Sequence, residues 1–219
     1  MEIIHFILNL LKDTKPTIDA FIAAHGSLVY GLFFLIIFVE TGLVVMPFLP
    51  GDSLLFVAGS LAAGANAQLS FPVLFLLLFA AAVLGDNLNY WIGRFFGPRV
   101  VKWKTFGRDL VQQKHLDKTH GYFEKYGVKT IIIARFVPIV RTICPFVAGI
   151  GAMDYRRKFL PFDILGGAMW IGTMLTAGYV IGTSEVVQKN FKLVILGIVF
   201  ISVLPMIVEF VRARKKSAQ

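Results

Sequence analysis

Cysteine is nearly absent from this chain. Cys144 is the only one, which excludes an intrachain disulfide and leaves no thiol cluster for a metal. Histidine is scarce as well: His5, His25, His115 and His120 are scattered without zinc-binding spacing. Charge is the third shortage. Charged residues make up 16% of the sequence against 57% hydrophobic, where a soluble domain carries about 25% charged. Too few polar helices remain to surround the apolar ones, so a soluble bundle is excluded. A basic n-region is missing too, since the chain opens Met1-Glu2 and Lys12-Asp13 interrupts its first apolar run; no cleavable signal peptide is expected.

What is present is long apolar sequence. Leu28–Val45, Phe71–Phe96, Phe159–Ile181 and Phe191–Val211 are long apolar runs, of which Phe191–Val211 carries only Lys192 before Glu209. Crossing hydrocarbon takes about 20 residues, so the chain reads as an all-α, multi-pass membrane protein.

The net charge of +9 would suit nucleic acid, but its distribution does not. Nine basic residues fall between Arg94 and Lys129, a second cluster is Arg156-Arg157-Lys158, and Arg212, Arg214, Lys215 and Lys216 form the tail. The connections near Gly64–Gln68 and Thr183–Asn190 hold only Lys189. This is the positive-inside pattern, which puts the basic segments and the C-terminus in the cytoplasm, against anionic head groups. No nucleic-acid partner is expected.

Both flanks of residues 130–153 are then cytoplasmic although the segment is apolar. A re-entrant hairpin, turning at Pro138 and Pro145, resolves the conflict; such backbone is tolerated only where protein or water covers it. Upstream, Pro47, Pro50 and Gly51 break another apolar run in the same way. Phe56-Val57-Ala58-Gly59 returns as Phe146-Val147-Ala148-Gly149, 90 residues later, and Tyr90-Trp91-Ile92-Gly93 is echoed by Tyr179-Val180-Ile181-Gly182, 89 residues later. The expectation is two inverted repeats, residues 28–96 and 130–182, each a broken-helix hairpin plus a transmembrane helix. They are joined by a basic cytoplasmic segment, 97–129. Residues 1–24 read as an amphipathic interfacial helix ended by Pro16, and residues 191–211 as a final transmembrane helix. Inverted repeats with broken helices are the architecture of many secondary transporters, whose site lies at the breaks.

Four charges sit in these broken segments: Glu40 and Asp52 around the first break, Arg135 and Arg141 around the second. Each costs about 2.5–3.5 kcal/mol near the bilayer centre on insertion scales, so they must pair or reach water. Arg135 and Arg141 would point about 240° apart on an intact helix; a break at Pro138 lifts that restriction. Asp86, Asn89 and Tyr90 share one helical face, lining a path or tying a span to a hairpin. Trp91, Trp103 and Trp170 read as interface or packing aromatics.

Phe38-Val39-Glu40-Thr41-Gly42 through Pro47-Phe48-Leu49-Pro50-Gly51-Asp52-Ser53 resembles the first signature of the bacterial DedA family, the VTT or SNARE-associated type. Ala134-Arg135-Phe136-Val137-Pro138-Ile139-Val140-Arg141-Thr142, with Pro145 and Ala148-Gly149, resembles the second, and Gly85-Asp86 with Asn89-Tyr90 and Gly93-Arg94 matches a third patch. The resemblance covers nearly the whole chain. It implies a bacterial inner-membrane protein, driven by the proton-motive force and moving a lipid such as undecaprenyl phosphate. It also implies that the family's essential acids and arginines are Glu40, Asp52, Arg135 and Arg141.

A transporter for a phosphate-bearing lipid, with protons as its second partner, is therefore the expected function. Guanidinium forks suit phosphate, and half-helix N-termini add amide donors. A membrane enzyme fits less well, because all four histidines lie outside the expected core and Ser53 has no evident base. A scaffold or assembly factor is the remaining alternative, and homo-oligomerisation is left open. No cofactor and no metal are expected.

Overall fold

The computed structural model describes residues 14–43, 51–63, 67, 69–100, 104–105, 108–109 and 113–184. The expected last span at 191–211, the basic tail, Trp103, Pro47 and Pro50 lie outside the described residues.

Helix α1 runs Thr14–Gly42 with a kink at His25, where φ is −126° and ψ is 19°. Pro16 opens this helix rather than ending one, because a first-turn residue has no intrahelical N–H bond to lose. The amphipathic element expected over 1–24 is thus, from Thr14 onward, the leading part of α1. α2 (Gly51–Leu61) and α3 (Phe71–Val100) follow. A two-residue antiparallel ladder, Lys104–Thr105 with Arg108–Asp109, is the one departure from all-helix among the described residues. Then come α4 (Gln113–Tyr126), a 3-10 turn (Gly127–Lys129), α5 (Thr130–Ala134) and α6 (Pro138–Ile150). A π-helical turn, Tyr155–Phe159, feeds directly into α7 (Leu160–Gly182).

Among the described residues, three stretches are long and apolar enough to cross a membrane: His25–Gly42, Phe71–Gly97 and Tyr155–Gly182. Burial follows the logic of a lipid-solvated chain. Leu28, Leu32 and Leu35 on α1, Leu76, Leu84 and Phe95 on α3, and Leu165 and Val180 on α7 are exposed, whereas Glu40, Asp86, Asn89, Arg135, Arg141 and Asp163 are buried. Apolar side chains can face hydrocarbon at no cost, while charged ones must turn inward to find partners.

The second break falls where the sequence places it, but at one proline only. Pro138 takes the first position of α6, and Val137 before it is held extended at φ −117°, ψ 102°, as a residue preceding proline prefers. Pro145 lies inside α6, a correction to its expected role as a second break. Pro145 has no N–H for the Arg141 carbonyl, and the next carbonyl, that of Thr142, accepts from Asn89 Nδ2 at 2.6 Å, so a neighbouring helix supplies a donor at the proline turn.

The chain divides into two compact units. In the first, α2 packs on the end of α7 through glycine. A Cβ on Gly59 would strike the Leu175 carbonyl, one on Gly178 the Phe56 carbonyl, and one on Gly182 the Ser60 backbone. Ser60 Oγ donates to the Gly178 carbonyl at 3.0 Å, and Ser70 N–H donates to Tyr30 Oη at 2.7 Å.

In the second unit, α6 packs on α3 by the same device. Gly149 abuts the Tyr90 carbonyl, Gly93 the Phe146 carbonyl, and Gly97 the Ile150 side chain. By contact, then, Gly93 corresponds to Gly178 and Gly97 to Gly182. This corrects the tetrapeptide echo, which aligned Gly93 with Gly182. α6 ends in a Schellman arrangement in which Met153 N–H reaches the Ala148 carbonyl at 3.1 Å and Ala152 N–H the Gly149 carbonyl at 3.0 Å. Its left-handed residue is Ala152, at φ 53°, where glycine is usual.

Candidate functional site

The five-residue helix α5 stops because its last turn tightens. The N–H groups of Arg135, Phe136 and Val137 bond to the carbonyls of Ile132, Ile133 and Ala134, and Pro138 then restarts the helix in a new direction. Arg135 therefore projects from the break and Arg141 from the first turn of α6. The two guanidiniums converge on one indole, at 4.4 Å (Arg141) and 5.9 Å (Arg135) from the centre of the Trp170 ring. Trp170, read from sequence as an interface or packing residue, is fully buried under both arginines.

Each arginine has acidic partners. Arg141 Nη2 donates to Glu40 Oε1 at 2.6 Å, with both side chains at most 4% exposed. Arg135 Nη2 donates to Asp163 Oδ1 at 2.6 Å and pairs through the same nitrogen with Asp86 Oδ2. Glu40 comes from α1, Asp86 from α3, and Asp163 from the first turn of α7. Four segments thus deliver one charged cluster, all within the second unit.

Sequence reasoning missed Asp163 as a site residue. It lies near the start of the apolar run Phe159–Ile181, and an acid in a first helical turn looks like a partner for the helix dipole. Asp52 belongs to the first unit, in the first turn of α2, where it is half-buried.

Asp86, Asn89 and Tyr90 do share a face of α3, and all three are buried, but their tasks differ. Asn89 Nδ2 donates to the Thr41 carbonyl at 3.1 Å as well as to that of Thr142. One amide thus ties the end of α1 to α6 three residues before Pro145. Tyr90 Oη donates to the Met153 carbonyl at 2.5 Å, and its ring stacks on Phe159 at 4.5 Å. Tyr90 is a packing anchor, and Asn89 a brace for the elements carrying Glu40 and Arg141. Gly85 allows α1 to lie this close, because a Cβ there would strike Thr41 Oγ1.

Residues 49–180 match the family model described as the VTT domain. Over its full length the chain is 44% identical to Protein DedA of Escherichia coli K12, covering 99% of that protein. The chain belongs to the DedA family of VTT-domain membrane proteins. Other members include the uncharacterized membrane protein Rv0364 of Mycobacterium tuberculosis H37Rv, 44% identical over 89% of this chain and 85% of that one. Inner membrane protein YqjA of Escherichia coli K12 is 35% identical over 74% of this chain and 72% of its own. No solved structure matches. The VTT-domain match takes in Asp52, Asp86, Arg135, Arg141 and Asp163, and leaves Glu40 just before its start.

Proposed function

We propose that this DedA-family protein is a non-enzymatic, proton-linked transporter of a phosphate-bearing lipid in the bacterial inner membrane, its substrate a polyprenyl phosphate such as undecaprenyl phosphate or a phospholipid. The observation that carries the reading is the pair of buried arginines at a helix break, each ion-paired with carboxylates. A guanidinium fork binds carboxylate and phosphate through the same geometry, so an incoming phosphate competes with Glu40, Asp86 and Asp163 for the same donors. Protonating a carboxylate releases its arginine, and ionising it reclaims the arginine and expels the anion. Proton and phosphate lipid thereby move together.

The proposed architecture is two inverted repeats with re-entrant hairpins. α2 has 11 residues and α6 has 13, about 17 and 20 Å at 1.5 Å per residue, against a hydrocarbon core of about 30 Å. Neither crosses alone. The matched contacts Gly59–Leu175 with Gly149–Tyr90, and Gly178–Phe56 with Gly93–Phe146, support a duplicated unit. The charged cluster belongs to the unit that holds the second of these contact sets. An inner-membrane location is supported by the relative named for it and by the basic segments around Arg94–Lys129 and Arg156–Lys158.

Flipping of defined lipids in vesicles, with and without a pH gradient, tests the reading. Phosphate-bearing prenyl lipid or phospholipid should exchange leaflets faster in the presence of protein, and Arg135→Lys and Arg141→Lys should lose most of that rate, because a point charge does not reproduce the fork. Gradient-independent absence of flipping for every lipid, with folded protein in the vesicles, would favour the scaffold reading instead.

A further inference from the structure

The charged cluster does not balance. Glu40 pairs with Arg141, and Arg135 faces both Asp86 and Asp163 through a single nitrogen. Fully ionised, the five side chains carry one surplus negative charge, at 4% exposure or less. Among the described residues, no other arginine or lysine is ion-paired with Asp86 or Asp163. The charged neighbours of Asp86 are Arg135, Asp163 and Arg141; those of Asp163 are Arg135 and Asp86; Cys144, from α6, faces Arg135.

Two oxygens paired with one nitrogen lie within about 5 Å of each other, so Arg135 Nη2 brings the carboxyl groups of Asp86 and Asp163 together. Asp163 Oδ2 is buried without a hydrogen-bond donor, and Arg135 Nη1 without an acceptor. Two ionised carboxylates are acceptors only, whereas a protonated one gains an O–H to donate. Like charges sharing a buried site force one of the pair to hold its proton.

We infer that Asp86 and Asp163 share one bound proton, and that this pair, rather than Glu40, is where the protein takes up the proton it couples to transport. α3 and α7 each bring one acid to the break between α5 and α6. Removal of the proton would leave the surplus charge on Arg135 alone and tighten its hold. Its arrival loosens one of the two carboxylates and frees part of the guanidinium for an anion. The inference deepens the transport reading, yet its test uses no lipid, so a substrate error and a proton-site error are told apart.

The test is infrared spectroscopy of the purified protein in detergent at neutral pH. A protonated carboxyl shows a C=O stretch separate from carboxylate bands and displaced in D2O. Wild type should show one such band. Asp86→Asn and Asp163→Asn should each abolish it, because the remaining aspartate then has Arg135 to itself and ionises. Glu40→Gln should keep it. Asparagine resembles a protonated aspartate in shape, so both variants should fold, and if one does not accumulate the other still decides. No band in wild type, or a band that survives both aspartate variants and disappears in Glu40→Gln, would overturn the inference. So would a missing band combined with thermal stability that rises when choline is exchanged for sodium or potassium at constant ionic strength, since a metal cation would then hold the proton's place.

Discussion

The Glu40–Arg141 pair lends itself to a double-mutant cycle with unequal arms. Glu40→Leu leaves a guanidinium at 4% exposure without its carboxylate, and breaking a buried pair from one side costs about 3–5 kcal/mol. Arg141 would keep its face on Trp170, 4.4 Å away, a contact worth about 2 kcal/mol when desolvated, so the expected loss is at the lower end, about 3 kcal/mol. Arg141→Leu forfeits both the pair and the indole contact and should cost about 4 kcal/mol. The double Leu variant removes both charges together and should be no less stable than Arg141→Leu alone, giving a coupling of about 3 kcal/mol. Unfolding in mixed micelles of fixed lipid and detergent composition, followed by far-ultraviolet circular dichroism, reads all four proteins. Additivity of the two single variants within about 0.5 kcal/mol would refute the pairing.

Three further outcomes follow from the packing. Gly93→Ala drives a Cβ into the Phe146 carbonyl and should cost at least about 1–3 kcal/mol, whereas Gly121→Ala, with nothing within 4 Å, should gain about 0.5–1 kcal/mol; unfolding midpoints of the two separate close helix contact from generic propensity. Ala152→Gly should stabilise by about 0.5 kcal/mol, because it relieves a left-handed alanine while adding freedom to the unfolded chain, and a loss of stability in the same assay would contradict that backbone. Cys144 is buried and unpaired with any other cysteine, so maleimide should leave it unmodified in folded protein, label it only as the chain unfolds, and thereby report unfolding without an engineered probe.

Much of this arrangement could be read from residue order. Length and apolarity located the three described spans, and a proline after an apolar run located the break at 138. Charges with no business in hydrocarbon marked Glu40, Arg135 and Arg141. What escaped was partnership, which is a tertiary matter. Nothing local distinguishes Asp163 from an acid serving a helix dipole, or Trp170 from an interfacial ring, until Arg135 and Arg141 are seen to converge on them. The echo of Tyr90–Gly93 in Tyr179–Gly182 misaligned the repeat because it matched composition, while packing depends on which glycine meets a backbone carbonyl. Pro145 looked like a breaker because sequence cannot show that Asn89 will brace the neighbouring carbonyl.

The glycine contacts also set an order of events at the ribosome. Ser60 on α2 finds its partner, Gly178, 118 residues later in the chain, and translation proceeds at about 5–20 residues per second. α2 therefore waits about 6 to 24 s for the helix it packs against, whereas α6 meets an α3 already made. α2 must be inserted and then held unassembled, its glycine face bare, until α7 arrives. Chains interrupted between α6 and α7 would carry a finished contact in one unit and an orphaned helix in the other, the form that membrane quality control should recognise and remove.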